Sequence, residues 1–133
     1  MNDNRIYDAI VLNDYPGEHF ATWVDELKKT IETRGKSFNG FPRDLIICCG
    51  QKSVTANAGK ALCLITFSKP RPMQSFDEVK ACISVGPGRI AYDLYNRRGF
   101  NRKFSFSKCR VSGAFQSIFQ IRLPDDIKII PAS

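Results

Sequence analysis

The spacing of apolar residues changes several times along the chain, and each change marks an element. The run Arg5-Ile-Tyr-Asp-Ala-Ile-Val-Leu12 is rich in strand formers and stops at the turn cluster Asn13-Asp14-Tyr15-Pro16-Gly17, which predicts a first strand. From Glu18 the period lengthens. Phe20, Trp23, Val24, Leu27 and Ile31 fall on one helical face, acids lie near the start, Lys28 and Lys29 follow, and Gly35 ends the predicted helix.

Leu45-Ile-Ile-Cys-Cys49 and Ala61-Leu-Cys-Leu-Ile-Thr-Phe67 are short apolar runs bounded by Gly50 and Pro70, a length that suits buried strands. A second helix is predicted from Ser75, with Ser75 and Glu78 in a reciprocal cap and Val79, Cys82 and Ile83 facing inward. Residues 90–98, with Ile90, Leu94 and Tyr95 inward, read as a short third helix stopped at Gly99. Beyond it, Lys103 to Val111 alternates Phe104 and Phe106 with polar residues, and Phe115, Phe119, Ile121 and Leu123 share one strand face. Pro124-Asp125-Asp126 is a turn, and Ile127 to Ile130 a closing edge strand. About six strands and two or three helices without regular alternation predict an α+β fold with a mostly antiparallel sheet. No repeat or linker divides residues 1–133, so a single compact domain is expected.

Composition adds a charge asymmetry. The chain has 20 Lys and Arg against 13 Asp and Glu, a net charge of +7. Residues 1–34 are acidic in balance, with four bases and seven acids, so the excess belongs to residues 35–133. Five cysteines, an odd count with spacings that match no disulfide framework, predict a reducing intracellular compartment. No stretch approaches the roughly 18–20 apolar residues needed to cross a bilayer, so any membrane contact is expected to be peripheral.

Most catalytic chemistry finds no support. The one histidine, His19, opens the first predicted helix and has no nucleophile beside it in sequence. Cys48 and Cys49 project to opposite faces of a strand and so cannot easily share a zinc ion. Gly59-Lys60 lacks both the first glycine and the hydroxyl of a phosphate loop. Asp44, Asp77, Glu78, Asp93, Asp125 and Asp126 could in principle supply a metal-dependent nuclease, but nothing in their spacing selects them over turns and helix starts. No enzyme, cofactor or metal is therefore expected.

The segment Arg89 to Arg110 holds seven basic residues and one acid, Asp93, interleaved with Tyr92, Tyr95, Phe100, Phe104 and Phe106. Such a local field suits a polyanion, RNA or an anionic lipid surface, better than a small substrate. Strand alternation turns Phe104 and Phe106 to the core, so the electrostatic part of the signal is the stronger. The candidate phosphate or headgroup ligands are Arg89, Arg97, Arg98, Arg102, Lys103, Lys108 and Arg110, extended by Lys69 and Arg71. A solvated basic face that only keeps the protein soluble is the plain alternative.

Leu64-Ile-Thr-Phe-Ser-Lys-Pro-Arg-Pro-Met-Gln-Ser-Phe-Asp-Glu-Val-Lys-Ala-Cys-Ile-Ser84 resembles the matrix proteins of rhabdoviruses, in which a strand enters a basic proline-containing turn and then an amphipathic helix. The similarity continues through Tyr95-Asn-Arg-Arg-Gly99 to Leu123-Pro124, roughly residues 60–125. It implies a non-enzymatic viral structural protein that self-associates into homo-oligomers, coats the inner face of an envelope through basic residues and contacts ribonucleoprotein. Lys69 and Arg71 match the basic turn directly. The family's Pro-Pro-x-Tyr motif is not found in these 133 residues. At the other end, Tyr7-Asp-Ala-Ile-Val11 and the following helix resemble the start of a Toll/interleukin-1 receptor domain, without that family's continuing alternation. The alternative to this matrix-like reading is a small RNA-binding regulator, such as a silencing or host-defence suppressor, with no membrane role.

Overall fold

The computed structural model describes residues 5–132. Among them, eleven strands and two short α-helices follow in the order β1 (Ile6–Leu12), β2 (Asp14–Tyr15), β3 (Glu18–His19), α1 (Phe20–Asp25), β4 (Ile31–Arg34), β5 (Arg43–Cys49), β6 (Lys60–Phe67), β7 (Arg71–Pro72), α2 (Glu78–Ala81), β8 (Ile90–Ser105), β9 (Arg110–Ser112), β10 (Phe119–Arg122) and β11 (Ile129–Ile130). The main sheet runs β11-β8-β6-β5-β1-β10-β9, with β4 and β7 also paired to β8, while β2 and β3 form a separate hairpin. Every pairing is antiparallel except β1 with β5, whose parallel register sets Ala9 beside Ile46 and Leu12 beside Cys49. The fold is α+β with a mostly antiparallel sheet, and the sheet is larger than the six strands expected.

β5 and β6 read as unbroken apolar runs because both their faces are covered. Leu45, Ile47 and Cys49 pack with Val24, Phe67 and Tyr92 on one side, and Ile46 and Cys48 pack with Phe104, Phe106, Phe119 and Ile121 on the other. Burying a side chain of this size stabilises the fold by roughly 1.5–3 kcal/mol. The expected inward facing of Phe104, Phe106, Phe119, Ile121 and Leu123 holds. So does the separation of Cys48 from Cys49.

Three helical expectations are corrected. The helix from Glu18 is only six residues, Phe20–Asp25, and the chain turns out of it at Leu27, whose φ is +61°. Ile31 was expected on the helical face but lies in β4, because the β-branched Ile31-Glu-Thr33 stretch pairs with Asp93 to Ala91 and buries Ile31 in that ladder. Residues 90–98 are strand, not helix. β8 bends at Asn96, φ +55°, where its register against β6 shifts between Leu64 and Thr66. That bend lets one 16-residue strand pair with β4 and β7 before it and with β11 beyond it.

The third correction concerns the helix from Ser75. It is a 3₁₀ turn, Ser75–Asp77, followed by the four-residue α2, and its cap is Gln74 with Asp77 instead of Ser75 with Glu78. Asp77 is held there because it also receives the Arg71 guanidinium. Val79, expected inward, is 86% exposed.

Candidate functional site

The parallel pair β1 and β5 releases two loops at one end of the sheet, at Asn13 and at Gly50, while the next neighbour of β1, β10, runs the opposite way. Crevices beyond the carboxyl ends of parallel strands, where strand order changes, are recurrent ligand sites. Here the loops are tied closely together: the Gly50 amide donates to the Leu12 carbonyl at 2.9 Å.

Three concavities adjoin this end. A cavity of about 330 Å³ is lined by Asn13, Tyr15, Lys29, Glu32, Arg34 and Arg89, among others. A second, of about 650 Å³, shares Val11, Asn13, Tyr15 and Arg34 with it and adds Lys52 and Phe115. A third, of about 410 Å³, shares Gln51 with the second and is lined by Lys60, Arg102, Lys103, Ser105 and Ser107. Six cations, Arg89, Arg34, Lys52, Lys60, Arg102 and Lys103, thus succeed one another along adjoining hollows.

Their freedom differs. Nη2 of Arg34 is buried without a hydrogen-bond partner among the described residues; its Nε sits 3.0 Å from Glu32 Oε2 and its guanidinium lies 5.7 Å from the Phe38 ring centre. Lys52 and Lys60 have no ion pair among the described residues. Arg89 is anchored to Thr33 through Nε and Nη2 at 2.7–3.2 Å. Lys29 is 2% exposed and donates to the carbonyls of Ile31 and Ala81. Burial pulls its pKa down, opposed by Glu32 3.5 Å away. It belongs to the floor of the site and not to its free charge.

A buried polar network fixes the loop that carries Asn13 and Tyr15. Asp14, 1% exposed, accepts from the Thr22 amide at 3.1 Å, the Thr22 hydroxyl, the Thr55 hydroxyl at 2.6 Å and the Cys49 thiol at 3.6 Å. Burial pushes the Asp14 pKa up, but these hydrogen bonds outweigh it and hold the carboxyl below the usual range. Asn57 continues the chain of contacts, donating to Thr22 Oγ1 at 2.9 Å and accepting from Lys103 Nζ at 2.9 Å.

The nine residues singled out by sequence do not share one face. Arg71 sits between Asp77 and Asp93, with four contacts of 2.7–3.1 Å, and these two acids drive its pKa up. Arg97 reaches Asp25 at 2.6 Å, and Lys103 reaches the same carboxylate at 3.4 Å. Arg98 leaves the other side of β8 for Asp44 and Thr66, each at 3.1 Å. Arg102 forks onto Asp126 at 2.7 and 2.9 Å, and Arg110 donates to the Gly113 carbonyl and lies over Phe115. Lys69 and Lys108 have no ion pair among the described residues. Only Arg89, Arg102 and Lys103 of the nine line the cleft.

Arg34, Lys52, Lys60 and Tyr15 are the cleft residues that sequence did not single out. Each stands outside the basic run, and nothing in the linear pattern says that β1 and β5 pair in parallel. Among the described residues no three His, Cys, Asp or Glu side chains converge as metal ligands, and no helix is long and apolar enough to cross a membrane. No family model and no curated protein matches the chain.

Proposed function

We propose that this protein binds single-stranded RNA through the cleft at the carboxyl ends of β1 and β5, without acting chemically on it. The observation that carries this reading is the sharing of walls between three hollows, which sets six cations in succession. A phosphate backbone is the polyanion whose charges repeat in that manner. Tyr15, half exposed at the junction of two of the hollows, offers a ring on which a base can stack.

The test is a salt titration of binding to a labelled single-stranded RNA. Arg102 and Lys103 already face Asp126 and Asp25, so engagement of Arg34, Lys52, Lys60 and Arg89 gives a slope of log affinity against log salt of about −3, since each phosphate contact on a single strand adds about 0.7. K52A/K60A should flatten that slope by about 1.4, whereas K69A, outside the cleft, should leave it as it is. Equal slopes for wild type and K52A/K60A would refute the reading. RNA recovered intact after incubation with magnesium or manganese is expected; cleavage would make the protein a nuclease.

A different observation favours a second reading, a matrix-like protein that self-associates and lies on an anionic membrane. Phe76 is 78% and Val79 86% exposed, beside Lys80, on the surface turn that leads into α2. Exposed apolar groups next to a cation suit the interfacial zone of a bilayer. Sedimentation with phosphatidylserine vesicles, lost in F76S/V79S, would support it; no sedimentation of the wild type would remove it.

A further inference from the structure

We infer that the 330 Å³ cavity receives the phosphomonoester end of the bound strand; the inference rests on the RNA-binding reading of the cleft and gives that cleft a polarity. The volume lies at the lower end of the roughly 300–1,000 Å³ typical of ligand pockets and suits one nucleotide.

Three features separate this cavity from the rest of the track. The first is charge. Its walls carry Lys29, Arg34 and Arg89 and the single carboxylate of Glu32; buried Lys29 and Glu32, 3.5 Å apart, balance one another, which leaves the Arg34 and Arg89 guanidiniums as the surplus. A terminal phosphate carries about −1.5 to −2 at neutral pH, where a linking phosphodiester carries one charge, so the surplus matches an end.

The second is preorganisation. Arg34 is restrained by the Glu32 carboxylate 3.0 Å from its Nε and by the Phe38 ring, and its buried Nη2 has no hydrogen-bond partner among the described residues. Arg89 is pinned through Thr33, with Nη1 left over. The pairing of Arg34 with Ile90 brings the two guanidiniums to the same end of the β4–β8 ladder. Such restrained forks bind two oxygens of one phosphate at little cost in side-chain freedom.

The third is a stop. Beyond this cavity, across the shared wall residue Ile83, the next hollow is lined by Glu18 and Glu78. Carboxylates there repel a continuing phosphate backbone. The cation track therefore ends at Arg34 and Arg89.

The experiment compares one internally labelled single-stranded RNA in three forms, with a 5′-phosphate, a 3′-phosphate, or hydroxyls at both ends, by fluorescence anisotropy. One phosphorylated form should bind wild type about tenfold or more tightly than the hydroxyl form, as expected for a charge-assisted pair of hydrogen bonds. In R34K, which keeps the charge but loses the fork, the ratio of the two affinities should fall toward one, whatever the absolute affinity. Equal affinities of wild type for all three forms would overturn the inference and leave the RNA reading standing; no binding of any form would overturn both. A nucleoside monophosphate titrated alone separates a strand end from a free nucleotide. If it bound as tightly as the phosphorylated RNA, the strand-end assignment would fail.

Discussion

Gly50 lies so close to Asn13 that a Cβ placed on it would fall 1.8 Å from Asn13 Oδ1 and 3.0 Å from Asn13 Cγ. The backbone of Gly50 is not in the left-handed region, so an alanine there conflicts with the neighbouring side chain and not with its own backbone. Asn13 in turn donates to the Tyr15 hydroxyl at 3.3 Å. A single close approach between the loops after β1 and β5 thus sets two walls of the cleft.

G50A is expected to push the Asn13 side chain out of place, with a modest loss of stability, about 1 kcal/mol, because the end of a half-buried flexible side chain can move. The larger effect should be on RNA affinity, through the displaced Tyr15. In an N13A background the same substitution should be close to neutral. A double-mutant cycle on affinity measures this directly, and additive effects would show that the contact does not shape the site.

Arg97 and Asp25 make the best-buried ion pair on β8, with side-chain exposures of 29% and 9%. R97A strands the Asp25 carboxylate and should cost about 2 kcal/mol, less than the roughly 3–5 kcal/mol of a fully buried pair because Lys103 remains beside it. Arg102 and Asp126 are exposed by comparison, and R102A should leave the urea midpoint unchanged. The two variants side by side in urea denaturation separate a structural arginine from a surface one.

The Arg71 guanidinium beside Asp77, with the Gln74 amide, lowers the Asp77 pKa to about 2. A depressed carboxylate stabilises the fold at pH above its unfolded value of about 4, and that contribution fades as pH falls from there toward 2. The Asp14 and Asp44 carboxyls, also held low in the fold, act in the same direction. Stability should therefore drop steeply between pH 4 and 2. D77N should be less stable at neutral pH and show a shallower acid decline; parallel acid curves for the two proteins would contradict the assignment.

Of the five thiols, Cys48, Cys49 and Cys63 are buried, and Cys82 and Cys109 partly exposed. Burial pushes the Cys63 pKa to about 12 and that of Cys48 well up, so neither offers thiolate near neutral pH. Titration of the folded protein with a disulfide reagent at pH 8 should modify Cys82 first, with Cys109 slower because burial raises its pKa too. The remaining three should react only on unfolding. Rapid reaction of Cys48 would contradict the two-sided burial of β5.

The features legible in the sequence are strands and faces set by residues adjacent along the chain. β1, β5 and β6, the inward facing of Phe104, Phe106, Phe119 and Ile121, the opposite faces of Cys48 and Cys49, and the α+β class all follow from local alternation and run length. The tertiary structure decided the rest where two local preferences competed. Ile31 and residues 90–98 carry helical spacing, yet each segment completes a ladder with the other, and cross-strand hydrogen bonds with burial outweigh a weak helical bias. The basic run was legible as charge but not as a site, because Arg71, Arg97, Arg98 and Arg102 find their carboxylates on distant segments. Arg34, Lys52 and Lys60 stand apart in sequence, and only the parallel pairing of β1 with β5 and the bend at Asn96 bring them alongside Arg89 and Lys103. Charge is a property of the chain, whereas the partner each charge finds is a property of the fold.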